Sequence, residues 1–137
     1  MDRPASEGAA VLVAAYAALL LLGAAVGVVG AFLVPLRLFG HVEGLADVIG
    51  VAGPLLVGYF GAVGLGVGAA AVVPGIGWIL AFLALGVSRG GDVVIPGSLG
   101  TDHGVAVVGT LYFFCGLVGT LGAGVLAAHR LRRPPSG

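Results

Sequence analysis

The chain has 137 residues, of which 59% are hydrophobic and only 9% are charged, and its mean hydropathy is +1.18. Because a soluble domain carries about 25% charged residues, six arginines, six acids and no lysine cannot cover a water-soluble surface, and the composition predicts a membrane protein. A net charge of zero excludes the basic footprint of a nucleic-acid binder, and a single cysteine excludes an intrachain disulfide.

The first hydrophobic run covers residues 9–34 and contains no charged side chain. At about 1.5 Å per residue, it is long enough to cross a hydrocarbon core of about 30 Å with some tilt. The run is too long for a secretory signal, and the residues before it carry no net positive charge. We therefore predict an uncleaved transmembrane helix, followed by a polar loop over residues 35–47.

A second uncharged run, residues 48–87, is 40 residues long. As one helix it would measure about 60 Å, twice the hydrocarbon thickness, so it must fold back. The predicted turn is at Pro74 and Gly75, because proline lacks a backbone donor and glycine permits a tight reversal. This predicts helices over 48–73 and 76–88. The short third segment could instead form a re-entrant hairpin, but the arginine distribution favours a full span.

The remaining chain predicts a loop over 89–104, a fourth helix over 105–128 and a tail over 129–137. The fold class is therefore all-α, a four-helix integral membrane bundle with one domain over residues 1–137. Four arginines lie on the side of the termini and two on the other side: Arg3, Arg130, Arg132 and Arg133 against Arg37 and Arg89. The positive-inside rule then places both termini in the cytoplasm, with the protein in the plasma membrane and both loops outside.

Small residues recur at intervals of four along three of the predicted helices. Such ridges allow close backbone approach between helices in lipid. The interpretation is packing within the bundle, with a partner protein or a second copy as the alternative. The helix-packing candidates are Gly23, Gly27, Gly58, Ala62, Gly66, Gly116, Thr120 and Gly124.

No acid, arginine or histidine falls inside a predicted span, which argues against ion-coupled transport. The hydroxyl groups at depth are expected to hydrogen-bond neighbouring carbonyls, and Cys115 is expected to pack in the bundle. No nucleophile and base, cofactor motif or metal-ligand spacing is visible. We therefore predict no enzyme activity, no cofactor and no metal site.

Residues Gly77 to Ser98, GWILAFLALGVSRGGDVVIPGS, combine Gly-Trp at the opening of the third helix with a loop of the form S-x-x-G-D-x-V-I-P-G. This pattern resembles a family of small uncharacterised actinobacterial membrane proteins with four hydrophobic runs. The resemblance implies a multi-pass plasma-membrane protein. In the loop, Arg89 and Asp92 are candidates for a local ion pair, and Pro96 and Gly97 for a turn.

The function predicted from the sequence is that of an accessory or scaffold subunit that works through helix–helix contacts. Its expected partners are the lipid bilayer and either another membrane protein or a second copy of the chain; nucleic acid is excluded. The alternative is a small oligomeric transporter or a lipid-interacting protein.

Overall fold

The computed structural model describes residues 5–34, 37–38, 41–42, 44–86 and 103–132. The elements are α1 (Ala5–Leu33), β1 (Arg37–Leu38), β2 (His41–Val42), α2 (Leu45–Leu65), a 3₁₀ helix (Gly68–Val72), α3 (Val73–Gly86) and α4 (His103–Leu131). The fold is all-α apart from one antiparallel pair of two-residue strands between α1 and α2. Within these described ranges, four segments are long and apolar enough to cross a membrane: Glu7–Leu33, Leu45–Leu65, Gly68–Leu85 and Val107–Leu131.

The turn between α2 and α3 lies earlier than the sequence predicted. The helix α2 ends at Leu65, and Gly66 adopts a left-handed conformation with φ of 67°. The amides of Gly66 and Val67 donate to the carbonyls of Val63 and Ala62, which is the Schellman pattern of a helix C-terminus. A turn at Pro74 is therefore wrong: Pro74 lies in the first turn of α3, where its missing N–H leaves no intrahelical bond unmade.

This earlier turn changes the length of the neighbouring elements. The predicted helix over 48–73 is too long at its C-terminal end, and the third span is not short, because the 3₁₀ helix and α3 together supply 18 residues from Gly68 to Leu85. At the other end of α2, the predicted loop over 35–47 is shorter than expected. The helix begins at Leu45 and includes Asp47 in its first turn.

The four helices associate as two parallel pairs rather than in chain order. The helix α1 packs mainly on α3, and α2 packs mainly on α4. Along the first pair Gly23 faces Pro74 and Gly27 faces Trp78, so both helices run in the same direction. The antiparallel contact between α1 and α2 joins the two pairs, while α1 and α4 lie diagonally across the bundle.

Two clusters of buried side chains fill the bundle. The end that holds the first residue of α1 and the last residue of α4 is named the terminal end, and the opposite end the loop end. The aromatic cluster lies toward the loop end and contains Trp78 and Tyr112, both fully buried. The alanine cluster lies toward the terminal end and consists of Leu19, Ala62, Ala70, Ala71, Ala123 and Ala127.

Candidate functional site

The aromatic cluster, toward the loop end of the bundle core, holds a hydrogen-bonded pair of aromatic residues. The indole N–H of Trp78 donates to the Tyr112 hydroxyl at 2.8 Å, and that hydroxyl donates to the Gly27 carbonyl at 2.9 Å. The two rings meet edge to face with centroids 5.2 Å apart. The pair connects α1, α3 and α4. Both of its polar groups, the Trp78 indole N–H and the Tyr112 hydroxyl, are hydrogen-bonded within the membrane-spanning part of the bundle. The expected bond from a hydroxyl to a neighbouring carbonyl is confirmed for Tyr112.

Glycines on the neighbouring helices make room for these rings. A methyl group at Gly30 would overlap the Tyr112 phenol, and one at Gly116 would overlap the Trp78 indole. At Gly50 a methyl group would lie 3.0 Å from the Tyr112 ring. The Trp78 and Tyr112 rings therefore fit because α1, α2 and α4 each have a glycine, which lacks a side chain, at the point of contact. The arrangement is a packed core with its polar atoms paired inside it.

Most of the predicted packing residues lie at helix contacts within the chain. Gly23 and Gly27 lie against α3, Gly58 lies against the carbonyl of Ala71, and Ala62 is fully buried. Thr120 packs against Gly75 and donates to the Gly116 carbonyl at 2.8 Å, as expected for a hydroxyl in a membrane helix.

Two of the predicted packing residues do not pack. Among the described residues, no atom outside the local backbone lies within 4 Å of where a methyl group would stand at Gly66 or Gly124. Gly66 instead ends α2 in the left-handed conformation, so its assignment to the ridge is wrong.

Among the close-packed glycines that sequence reasoning missed, two lie against the backbone of a facing helix. Gly77 contacts the backbone of Leu20, and Gly119 contacts the backbone of Val51, each on a facing helix. The four-residue spacing could have found both, because an alanine follows each of them four positions later.

Within the described residues, four acidic or basic side chains lie near the ends of the observed apolar spans, which corrects the expectation that no acid, arginine or histidine falls inside a span: Glu7, Asp47, His129 and Arg130. Asp47 is in the first turn of α2, within the span Leu45–Leu65. Its Oδ1 atom is buried and makes no hydrogen bond in the described part of the chain. Cys115, one helix away on α4, is a free thiol and half buried beside Gly50, consistent with a packing role.

The surface offers two distinct features at the terminal end. Residues 7–14 of α1 are all exposed, the longest such run among the residues of α1. A groove of about 270 Å³ also opens between α2 and α4, lined by Tyr59, Leu126, His129 and Arg130. Among the described residues, no group of three His, Cys, Asp or Glu is placed to hold a metal ion.

The predicted loop candidates Arg89, Asp92, Pro96 and Gly97 lie outside the described residues, so the ion pair and turn there stay predictions. Comparison with family models, curated proteins and solved structures gave no match to this chain. The resemblance of the Gly-Trp and loop pattern to small actinobacterial membrane proteins therefore also stays a prediction.

Proposed function

We propose that the chain is an accessory or scaffold subunit of a membrane assembly and that it docks through the first turns of α1. The observation that carries this proposal is the uninterrupted exposure of residues 7–14. Leu19 packs against Gly61 of α2, and α2 ends only four residues later at Leu65. The two turns of α1 before Ala15 therefore project about 12 Å beyond the end of α2.

The projecting turns are apolar around their whole circumference. Glu7 is their only charged residue, and the rest are glycine, alanine, valine and leucine. A helix that is hydrophobic on every side is covered by lipid or by protein rather than by water. Ala10, Ala14 and Ala18 are exposed at intervals of four, so a second helix can approach this side of α1 closely.

The outer face of α4 has no row of exposed alanines among the residues whose burial is described, whereas α1 has one beside the large exposed side chains of Val11 and Val13. The most exposed side chains of α4 are large, from Phe114 at 57% to Leu121 at 69%. Bulky branched side chains suit disordered acyl chains, whereas small residues permit the backbone approach that helix pairs in lipid need. We therefore assign the docking surface to α1 and the lipid contact to α4.

The proposal can be tested by photo-crosslinking in native membranes. A photoreactive residue at Val11 or Val13 should give one discrete protein adduct, and the same residue at Val125 on α4 should give lipid adducts only. Ala14→Leu should abolish the α1 adduct without lowering the amount of protein in the membrane, because the side chain blocks close approach. Lipid adducts alone at all three positions, or an adduct unaffected by Ala14→Leu, would contradict the scaffold role.

The alternative function, a small oligomeric transporter, needs a conduit. Trp78 and Tyr112 are fully buried and hydrogen-bonded in the aromatic cluster of the described bundle, so a conduit would have to form between copies of the chain. This is why we place the scaffold role first. The absence of enzyme activity, cofactor and metal remains a prediction from the sequence.

We also propose that the terminal end faces the cytoplasm from the plasma membrane. Arg130 and Arg132 are exposed at the end of α4, while Arg37 lies in the strand pair at the loop end. Arginines near span ends are enriched on the cytoplasmic side, which supports this orientation.

A further inference from the structure

The groove between α2 and α4 combines a cation with an apolar floor. Its four lining residues come from two helices: Tyr59 from α2, and Leu126, His129 and Arg130 from the last turns of α4. One turn deeper in the membrane the groove is closed, since a methyl group at Gly122 would lie 3.2 Å from Leu55 Cδ1. The groove is therefore a short site open at the terminal end.

Positive charge collects at this end of the bundle. Arg130 and Arg132 are both exposed in the last turns of α4. Their two full charges exceed the roughly half unit of negative charge that the helix dipole places at a C-terminus. The described acids lie elsewhere, since Glu7 is on the diagonal helix α1 and Asp47 is at the loop end. An anion in the groove thus meets cationic groups with no described carboxylate beside them.

The groove also has a polar part near the membrane surface and an apolar part deeper in the membrane, as a phospholipid has a polar headgroup and apolar acyl chains. The Arg130 guanidinium and the Tyr59 hydroxyl are hydrogen-bond donors, and Arg130 is one helical turn, about 6 Å, farther out than Leu126. Leu126 is 47% exposed and Phe60, next to Tyr59, is 65% exposed. Both continue the site into a surface that faces the hydrocarbon region. A soluble anion would use the donors alone, whereas a phospholipid uses both layers.

We propose that this groove binds the headgroup phosphate of an anionic phospholipid, with its acyl chains lying along Leu126 and Phe60. The phosphate accepts hydrogen bonds from Arg130 and Tyr59. The assignment follows from the charge of the groove and the apolar flank below it. It does not depend on the scaffold role of α1, because residues 7–14 of α1 do not line the groove.

The test measures lipid retention by the full chain. The protein is reconstituted in nanodiscs of mixed phosphatidylglycerol and phosphatidylcholine, extracted in mild detergent and analysed by native mass spectrometry. Phosphatidylglycerol should be retained preferentially. Arg130→Gln should lower that preference about five-fold, the effect of one basic residue near an anionic lipid surface. Tyr59→Phe should lower it by a smaller factor.

Arg132→Gln is the matched control, because it removes the same charge from the same helical turn but from a residue that does not line the groove. It should leave most of the preference intact. Equal losses for Arg130→Gln and Arg132→Gln would show diffuse attraction and overturn the site. Equal retention of both lipids would also overturn it, as would thermal stabilisation of the detergent-solubilised chain by inorganic phosphate equal to that by phosphatidylglycerol.

Discussion

Tyr112 joins three helices through a single hydroxyl group. The hydroxyl accepts from Trp78 and donates to Gly27, and the ring fits only beside glycines on α1 and α2. In the low-dielectric interior, an indole N–H without an acceptor would keep its full desolvation cost. The hydroxyl therefore orients Trp78 as well as binding α1.

We expect Tyr112→Phe to lower the free energy of unfolding by about 1–2 kcal/mol, because two hydrogen bonds are lost and the Trp78 N–H is left unpaired. Denaturant unfolding in detergent micelles measures the change. Tyr16→Phe is the control, since the Tyr16 ring packs on the alanine cluster and its hydroxyl makes no hydrogen bond within the described residues. Equal losses for the two variants would contradict the role of the hydroxyl.

Gly66 shows a different use of a small residue. Its φ of 67° is in the left-handed region, where a side chain costs roughly 1–2 kcal/mol. No side chain of the described chain lies near it, so glycine is required by the backbone and not by a neighbouring helix. A ridge inferred from spacing alone could not distinguish these two reasons.

At the level of elements, the closest approach is between α1 and α3. A methyl group at Gly23 would overlap the Pro74 carbonyl, and one at Gly77 would overlap the carbonyl of Leu20. Each helix therefore presents a glycine to the backbone of the other. Close contacts of this kind contribute dispersion energy. They hold the helices together because lipid is as apolar as the helix surfaces, so the hydrophobic effect does not favour helix association.

We expect Gly77→Ala to destabilise the bundle by about 1–3 kcal/mol, because the added methyl group forces α1 and α3 apart. Gly124→Ala gives the comparison: both changes gain helix propensity, but no atom of the described part of the chain lies within 4 Å of the methyl group at 124. Thermal unfolding in detergent should show a lower midpoint for Gly77→Ala and an unchanged or higher one for Gly124→Ala. A similar response of the two variants would mean that the α1–α3 contact is not tight.

At the level of the whole molecule, the even number of spans puts the start of α1 and the end of α4 at the same end. The two parallel pairs keep the aromatic cluster and the alanine cluster at opposite ends of one core. The exposed end of α1 and the groove therefore share the terminal end, and α2, which lines the groove with Tyr59, also packs against α1. Residues 7–14 of α1 do not line the groove, so each feature can be altered by its own substitutions.

The orientation in the membrane is testable by cysteine labelling in a Cys115→Ser background. A membrane-impermeant thiol reagent on whole cells should label a cysteine at position 98, between α3 and α4, and should not label one at position 136, beyond α4. The expectation rests on the exposed arginines at the terminal end. Labelling at 136 but not at 98 would reverse the orientation.

The sequence alone determined that the chain forms four apolar helices. Run length and charge decide this, because a segment of about 20 apolar residues partitions into lipid regardless of its neighbours. The same reasoning located α1 and α4 within a few residues of their observed ends. It misplaced the turn after α2, because proline is tolerated in a first helical turn and Gly66 lacks any distinguishing local pattern.

Only the tertiary structure decided which helices pair. All four helices are nearly uniformly apolar, so no face is marked in the sequence as the inner one. The pairing of α1 with α3 and of α2 with α4 depends on which glycine meets which backbone and on where Trp78 and Tyr112 fit. The spacing of glycines along a helix does not reveal which helix each one faces. That depends on how the shapes of residues far apart in the chain fit together.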